Sequence, residues 1–569
     1  MKKFDYIEIM ERVLDAYSDE HIIQFFEEVK EDGITEHGFP RLTSNIGILL
    51  SHGKKTHLKD TFREMMDFCC ENISTCKENT LKSCRKRKGG GNEFSVRELC
   101  LCLNEVEKAE IFSQDIINKW KDGLRKIEPL TCYKVFATTP TDHIYNWALF
   151  CAVSEQTRKY FGLASEDEFI DIQIPTQLLH IDKNGMYKDA DNHPPIQYDL
   201  VARGLFAILL KMGYKGKYKK DIEDMLIKSA DITLMMQSVT GEMPFGGRSN
   251  QFYHNESWLC LMYEYYADVY NKMGDTKKAS QYKRAATIAY NHTFEGLSKE
   301  SITHIKNNFP KDSSFGCEDY AYFDKYMITA ASFFYGAVMM CNDDIEESVA
   351  PCEDESSYYL ELGEDFGKSF LKCGDYLAQI DIDANVHYDA NGIGRIHKKG
   401  VPSYICLSTP VSKEPKYNTV TPNPHAMSLC AGYEKNGENV YALDDTSRYS
   451  VTKSEATDTY SMCELKITLG DEKELTETIT VTNNGVDIEV KGDENLLFML
   501  PAIKTDGKYN SEVTLKDNSL SLTFMGHKVT YTVNGEISYT ENTVSNRNGI
   551  YYVYEAKGKN VLKVNVTIE

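Results

Sequence analysis

The chain has 569 residues, 41% hydrophobic and 26% charged, the composition of a globular protein long enough for roughly two or three domains. Its formal net charge of −22 argues against general nucleic-acid binding and against attachment to an anionic membrane. Met1–Arg12 carries acidic residues where a signal peptide needs an apolar core, and no apolar run approaches the ~18–20 residues of a membrane span.

Residues 1–130 read as helical hairpins. Ile7, Met10, Val13 and Leu14 recur at helical spacing, as do Phe62, Met65, Met66 and Cys69. The chain holds 16 cysteines without a secretion signal, which points to free thiols in a reducing cytoplasm. Cys69, Cys70, Cys76 and Cys84 suggest a metal cluster, but paired CxxC knuckles are missing and Cys100 and Cys102 sit in an apolar helix. Structural thiols are the better reading. The basic run Cys84–Gly91 reads as a solvated loop.

Over 131–380 long helices alternate with polar, aromatic loops. The predicted helices are Tyr145–Phe161, Tyr198–Met212, Lys219–Gln237, Ser257–Met273, Thr276–His292 and Tyr326–Cys341. The loops Thr139–Trp147, Asp182–His193, Gly241–Glu256 and Phe315–Tyr326 share one character. Antiparallel helix pairs whose alternate loops converge describe an (α/α)-toroid with a cleft at one end, carrying catalysis. The 1–130 segment would complete that toroid or mediate homodimerisation. From 381 to 569, Glu477–Thr482, Val486–Val490, Leu520–Phe524, Val529–Val533 and Leu562–Ile568 alternate with period two, and Asn483–Gly485 and Asn534-Gly535 supply turns. An antiparallel β-sandwich is expected there, which makes the fold class α+β multidomain.

The densest chemistry lies in Gly241–Glu256, which brings together Glu242, Arg248, Asn250, Gln251, Phe252, Tyr253, His254 and Glu256. Set between apolar helices, such a loop is a usual place for a site on a rigid frame. The blander reading is a loop whose polar groups satisfy helix ends.

A toroid followed by an antiparallel sandwich resembles the polysaccharide lyases that include the heparinase II/III-like and alginate-lyase-like enzymes. In that group an Asn, a Tyr and a His around the cleft carry catalysis. The resemblance implies Asn146, at the start of one toroid helix, and Tyr198, on the next long one. Asp191-Asn-His193 echoes part of the group's Asn-Asn-His signature.

A lyase removes the weakly acidic proton at C5 of a uronate and expels the oxygen at C4. Asn146 and Arg248 are the expected carboxylate binders, stabilising the dianion that develops. Tyr198 and His254 are candidate bases, and Tyr253 or Tyr322 would protonate the leaving group. Glu256 belongs to the same catalytic group. Trp147 and Phe252 offer faces for a sugar ring, and His193, Asn250, Gln251 and His425 are further substrate contacts. Asn146 is equally placed to cap its helix, and Trp147 to sit in the core.

A glycoside hydrolase on the same frame is the alternative. It needs two carboxylates ~5–5.5 Å or ~6.5–9.5 Å apart, with Glu242, Glu256, Asp199, Glu318 and Asp324 available. A non-catalytic carbohydrate-binding protein is the third reading. Asp189, Asp191, His193 and Glu256 offer metal donors without ligand spacing, so no metal or other cofactor is expected. The expected partner is a short acidic oligosaccharide, cleaved from its end in the cytoplasm.

Overall fold

The computed structural model describes residues 1–34, 36–73, 92–133, 135–136, 144–165, 168–299 and 302–569. Cys76, Cys84, the basic run to Gly91 and the loop residues Thr139–His143 lie outside them.

The first part is helical: α1 (Lys3–Leu14), α2 (Asp19–Asp32), α3 (Gly38–Ser51), α4 (Lys59–Asn72), α5 (Val96–Lys108), α6 (Gln114–Arg125), α7 (Trp147–Tyr160), α8 (Glu168–Leu178), α9 (Ile196–Lys211), α10 (Lys219–Lys228), α11 (His254–Met273), α12 (Thr276–Leu297) and α13 (Phe323–Met340). Contacts run in a closed circuit from α3 through α5, α7, α9 and α11 to α13 and back to α3. Helices in the circuit are buried on nearly all sides. In α9, for example, every residue from Leu200 to Leu209 is buried, as expected of an element surrounded by others. Around the circuit α1 packs on α13, α4 on α3, α8 on α7 and α12 on α11.

Two expected boundaries move. The apolar pattern begins at Ser257, yet α11 begins at His254, so His254 and Glu256 occupy a first helical turn. The run Lys219–Gln237 breaks at Ser229, whose hydroxyl turns back to the Met225 and Leu226 carbonyls.

The rest is antiparallel sheet. One four-stranded sheet runs β1 (Ser357–Glu361), β2 (Lys368–Cys373), β3 (Tyr376–Asp381), β4 (Gly392–Lys398). The larger sheet is built on the central pair β10 (Gly485–Thr505) and β15 (Ile550–Ile568), with β14 (Glu536–Ser545) also pairing β15. Both sheets feed one apolar cluster, Leu371, Ile380 and Ile393 from the first and Ile479, Val486 and Val564 from the second. The sheet region therefore opens at Ser357 rather than after 380. Every residue of β2 and β3 is buried, which erases the period-two signal by which a half-exposed strand is recognised.

The small sheet grips the loop ahead of α11. Arg395 on β4 donates to the Met243 carbonyl at 2.9 Å, and Gly247 N–H donates to Asp389 at 2.8 Å. Among the described residues every cysteine is free and buried, and no helix is long and apolar enough to cross a membrane.

Candidate active site

The helices of the circuit begin on one side of it, and their N-terminal ends surround a cavity of about 330 Å³. His37 and Arg41 come from the start of α3, Phe94 from just before α5, and Asn146, Trp147 and Phe150 from the start of α7. Gln197, Tyr198 and Val201 come from α9, Arg248, Ser249, His254 and Trp258 from the approach to α11 and its first turns, and Tyr320, Lys325 and Tyr326 from the start of α13. Helix N-termini point N–H groups and positive dipole ends at whatever lies between them. An anion in this cavity therefore meets a local field opposite to the net charge of the whole chain.

Arg248 is the centre of the site. Its Nη2 donates to Asp189 Oδ2 at 2.6 Å, and its guanidinium carbon stands 4.6 Å from the centre of the Tyr198 ring. Burial pulls Arg248 down, but Tyr198 and Asp189 hold it above its ordinary value, so it stays a cation. Asn146 joins the same array by donating from Nδ2 to Asp189 Oδ1 at 2.5 Å. Asp189 thus orients both proposed carboxylate binders from behind.

Tyr198 is half-buried, and its hydroxyl lies 3.0 Å from Ser249 Oγ. His254 is buried between the stacked Phe252 ring at 5.5 Å and the edge-on Tyr326 ring at 5.0 Å. Burial, with Arg41, His304 and Lys306 adding, pulls its imidazole to about 3, so it is neutral at ordinary pH.

Buried polar atoms without a partner cluster around this cavity: Asn146 Oδ1, Arg248 Nε, His254 Nδ1, Trp258 Nε1 and both amide atoms of Gln197. Orphaned buried groups are uncommon and call for a reason. Their convergence on one hollow is what a polar ligand would satisfy.

The expected site residues divide. Asn146, Trp147, Tyr198, Arg248 and His254 line the cavity together. Trp147 also packs edge-on against Phe94 at 4.9 Å, so one ring serves cavity and core. Phe252 is fully buried and stacks behind His254, where it cannot take a sugar. Tyr253 packs against α12, since a Cβ at Gly296 would lie 2.3 Å from its ring. Glu256 accepts from Lys306 at 2.7 Å and from Met243 N–H at 3.0 Å, inside a sealed cluster that also holds Glu242.

Asn250 and Gln251 are buried too. Asn250 donates to the Pro244 carbonyl at 3.2 Å, and Gln251 accepts from Asn548 Nδ2 at 3.0 Å. His193 meets the Asp383 carbonyl at 3.0 Å, Tyr322 is the N-cap residue of α13, and His425 is half-buried; none of the three lines the cavity. Asp199 pairs with Arg203 inside α9, Glu318 with Arg547 at 2.7 Å, and Asp324 with His21 at 2.6 Å.

Sequence reasoning missed Ser249, Gln197, Tyr320 and Tyr326, and saw Asp189 only as a metal donor. Gln197 and Ser249 each adjoin a chosen residue, the one signal that would have found them. Tyr320 and Tyr326 are two of 36 tyrosines, with nothing local to single them out.

The chain is similar to solved polysaccharide lyases. A heparinase III matches 93% of this chain and 78% of its own length at 10% identity, with a TM-score of 0.49. Chondroitin AC lyase of Streptomyces coelicolor, solved with chondroitin sulphate, matches 99% and 82% at 10% identity, with a TM-score of 0.43. A glycosyl hydrolase of family 88 from Bacteroides vulgatus matches 60% of this chain and 99% of its own at 13% identity, with a TM-score of 0.37. No protein-family model matches the chain, and no curated protein does. At these identities the reaction has to be read from the site itself.

Proposed function

We propose that this chain is a lyase that cleaves uronic-acid-containing oligosaccharides by β-elimination, with the helix circuit acting as an (α/α)-toroid and the paired sheets as a β-sandwich against its open end. The make-up of the cavity carries the reading. Arg248, Asn146, Tyr198 and His254 meet there, and among the described residues none lining it is Asp or Glu. A glycosidase of the ordinary kind needs two carboxylates across the scissile bond. An elimination needs a carboxylate clamp and a proton carrier, and those groups are the ones present.

In this mechanism Arg248 and Asn146 bind the uronate carboxylate. They stabilise the second negative charge that develops on it as C5 loses its proton, because their dipoles are fixed before the reaction begins. Tyr198, beside the Arg248 cation, takes the C5 proton as a phenolate. Neutral His254 donates or accepts a hydrogen bond at the same ring without carrying charge. Trp147 gives the sugar an apolar face. A cavity of about 330 Å³ is at the small end of ligand pockets, typically ~300–1,000 Å³, and fits the end of a chain better than a long stretch of it.

The test is incubation of the purified protein with uronate-containing oligosaccharides of different linkage. Elimination appears as ultraviolet absorbance from a conjugated unsaturated uronate. Released sugar without that absorbance would make the protein a hydrolase, and binding without turnover would make it a carbohydrate-binding protein. Either outcome overturns the reading.

A further inference from the structure

Ser249 sits at an unusual junction. Its hydroxyl oxygen lies 3.0 Å from the Tyr198 hydroxyl, 3.0 Å from that of Tyr320 and 3.4 Å from that of Tyr326. A serine hydroxyl has one proton to give and two lone pairs to receive with. It can therefore bond all three phenols at once, and burial pushes Tyr320 and Tyr326 above their ordinary values, so both keep their protons.

The backbone is committed to this arrangement. Ser249 has φ 56°, the left-handed region that a non-glycine residue enters only under constraint. Its N–H donates to Glu318 Oε1 at 2.7 Å, and its carbonyl accepts from Asn255 Nδ2 at 3.0 Å. Glu318 is in turn gripped by both terminal nitrogens of Arg547, at 3.0 and 2.7 Å. Arg547 lies in the turn between β14 and β15, and all of these side chains except the tyrosines are buried. Arg547 also donates to the Gly316 carbonyl at 2.8 Å, and its own carbonyl accepts from Asn307 Nδ2 at 2.8 Å. A Cβ at Gly316, whose φ is 80°, would come within 2.5 Å of that carbonyl oxygen. The turn and the loop before α13 are thus locked together.

We propose that Ser249 is a positioning residue that fixes the Tyr198 hydroxyl in place to take a proton, and that Glu318, with Arg547 of the β14–β15 turn behind it, holds Ser249 there. The inference rests on Tyr198 being the base of the proposed elimination. In the step itself the C5–H bond breaks and a Tyr198 O–H bond forms. The electron pair from C5 makes the C4=C5 double bond, and the C4–O4 bond breaks with its pair on O4. Tyr198 passes the same proton to O4 and returns to phenolate. No other reactant is needed.

Ser249→Gly and Ser249→Ala test this together. Glycine removes the whole side chain and relieves the left-handed strain, whereas alanine removes only the hydroxyl and keeps the strain. Both are expected to lower kcat by about 10²-fold, the scale of one acid–base contribution, with KM within a few-fold of wild type. Ser249→Thr, which restores the hydroxyl, should recover most of the lost kcat at unchanged KM, and Arg547→Gln should lose part of it. If wild type forms the unsaturated product but Ser249→Ala keeps the wild-type kcat, or Ser249→Thr is as slow as Ser249→Ala, the Ser249 role is wrong and the lyase reading stands. If wild type forms no unsaturated product, both fall.

Discussion

The Arg248 guanidinium carbon stands 4.6 Å from the centre of the Tyr198 ring while its Nη2 is held by Asp189 at 2.6 Å. One cation thus faces the proposed base and the proposed carboxylate position at once. Arg248→Ala should cost about 10²–10³-fold in kcat, the scale seen on removing a preorganised donor to a developing anion. Arg248→Lys should recover part of that, because it restores charge without the planar fork. Initial rates of unsaturated-product formation decide it, and equal losses in the two variants would show that charge contributes nothing.

Glu256 has a different task. With Glu242 it flanks Lys306, whose ammonium donates to the two carboxylates at 2.7 and 3.1 Å, all three side chains being buried. Breaking a buried ion pair from one side strands the other charge, typically at about 3–5 kcal/mol. Lys306→Met should therefore lower stability by that order, measured by chemical denaturation. Glu256→Gln should cost less, since an amide still accepts from Lys306. Below its unfolding transition Glu256→Gln should keep turnover. A folded Glu256→Gln protein without activity would return Glu256 to the chemistry.

Gly204 carries the contact that sets α9 against α11. A Cβ there would lie 2.3 Å from Cζ3 of the Trp258 ring, which itself lines the cavity. Trp258 is fully buried and packs on Phe333 at 3.8 Å, so it has little room to retreat. Gly204→Ala should destabilise the protein by about 1–3 kcal/mol, the range for overpacking a tight core. It should also lower activity beyond the unfolded fraction, because α9 and α11 carry Tyr198 and His254. Retained stability with normal rates would show that the ring moves aside freely.

Much of this arrangement was legible because apolar periodicity marks helices and alternation marks strands. The polar loop ahead of an apolar helix then stood out with Arg248 and His254, Asn146 and Tyr198 were expected from the resemblance to the lyase group, and all four line one cavity. The strands β2 and β3 were hidden because burial on both faces leaves no alternation to read. Glu256 looked catalytic because the sequence shows its neighbours, while its partner Lys306 lies 50 residues on. Asp189 was misjudged for a related reason. It becomes the support of Asn146 and Arg248 only when three separate loops meet, and no local pattern encodes that meeting.

Two buried groups should give stability opposite dependences on pH. Burial pulls His254 from 6.5 to about 3. Between those values the unfolded chain binds a proton that the native state refuses, so stability rises with pH across that window and acidification weakens the fold. Glu477 on the larger sheet is fully buried, and burial pushes its carboxyl from 4.5 to about 8. Its native state keeps a proton that the unfolded chain has lost, so its contribution is complete below 4.5 and is lost as pH rises towards 8. Each effect is on the order of 3–5 kcal/mol at about 1.36 kcal/mol per unit. The windows overlap between 4.5 and 6.5, where the two slopes oppose each other, and stability should be flattest there. Glu477→Gln is neutral at every pH, so it should shrink the decline between 6.5 and 8 to the part that buried Asp381, raised to about 7, contributes at its lower end, and leave the acid decline in place. Urea midpoints measured across that range check it, and a Glu477→Gln curve parallel to wild type would remove Glu477 as the cause.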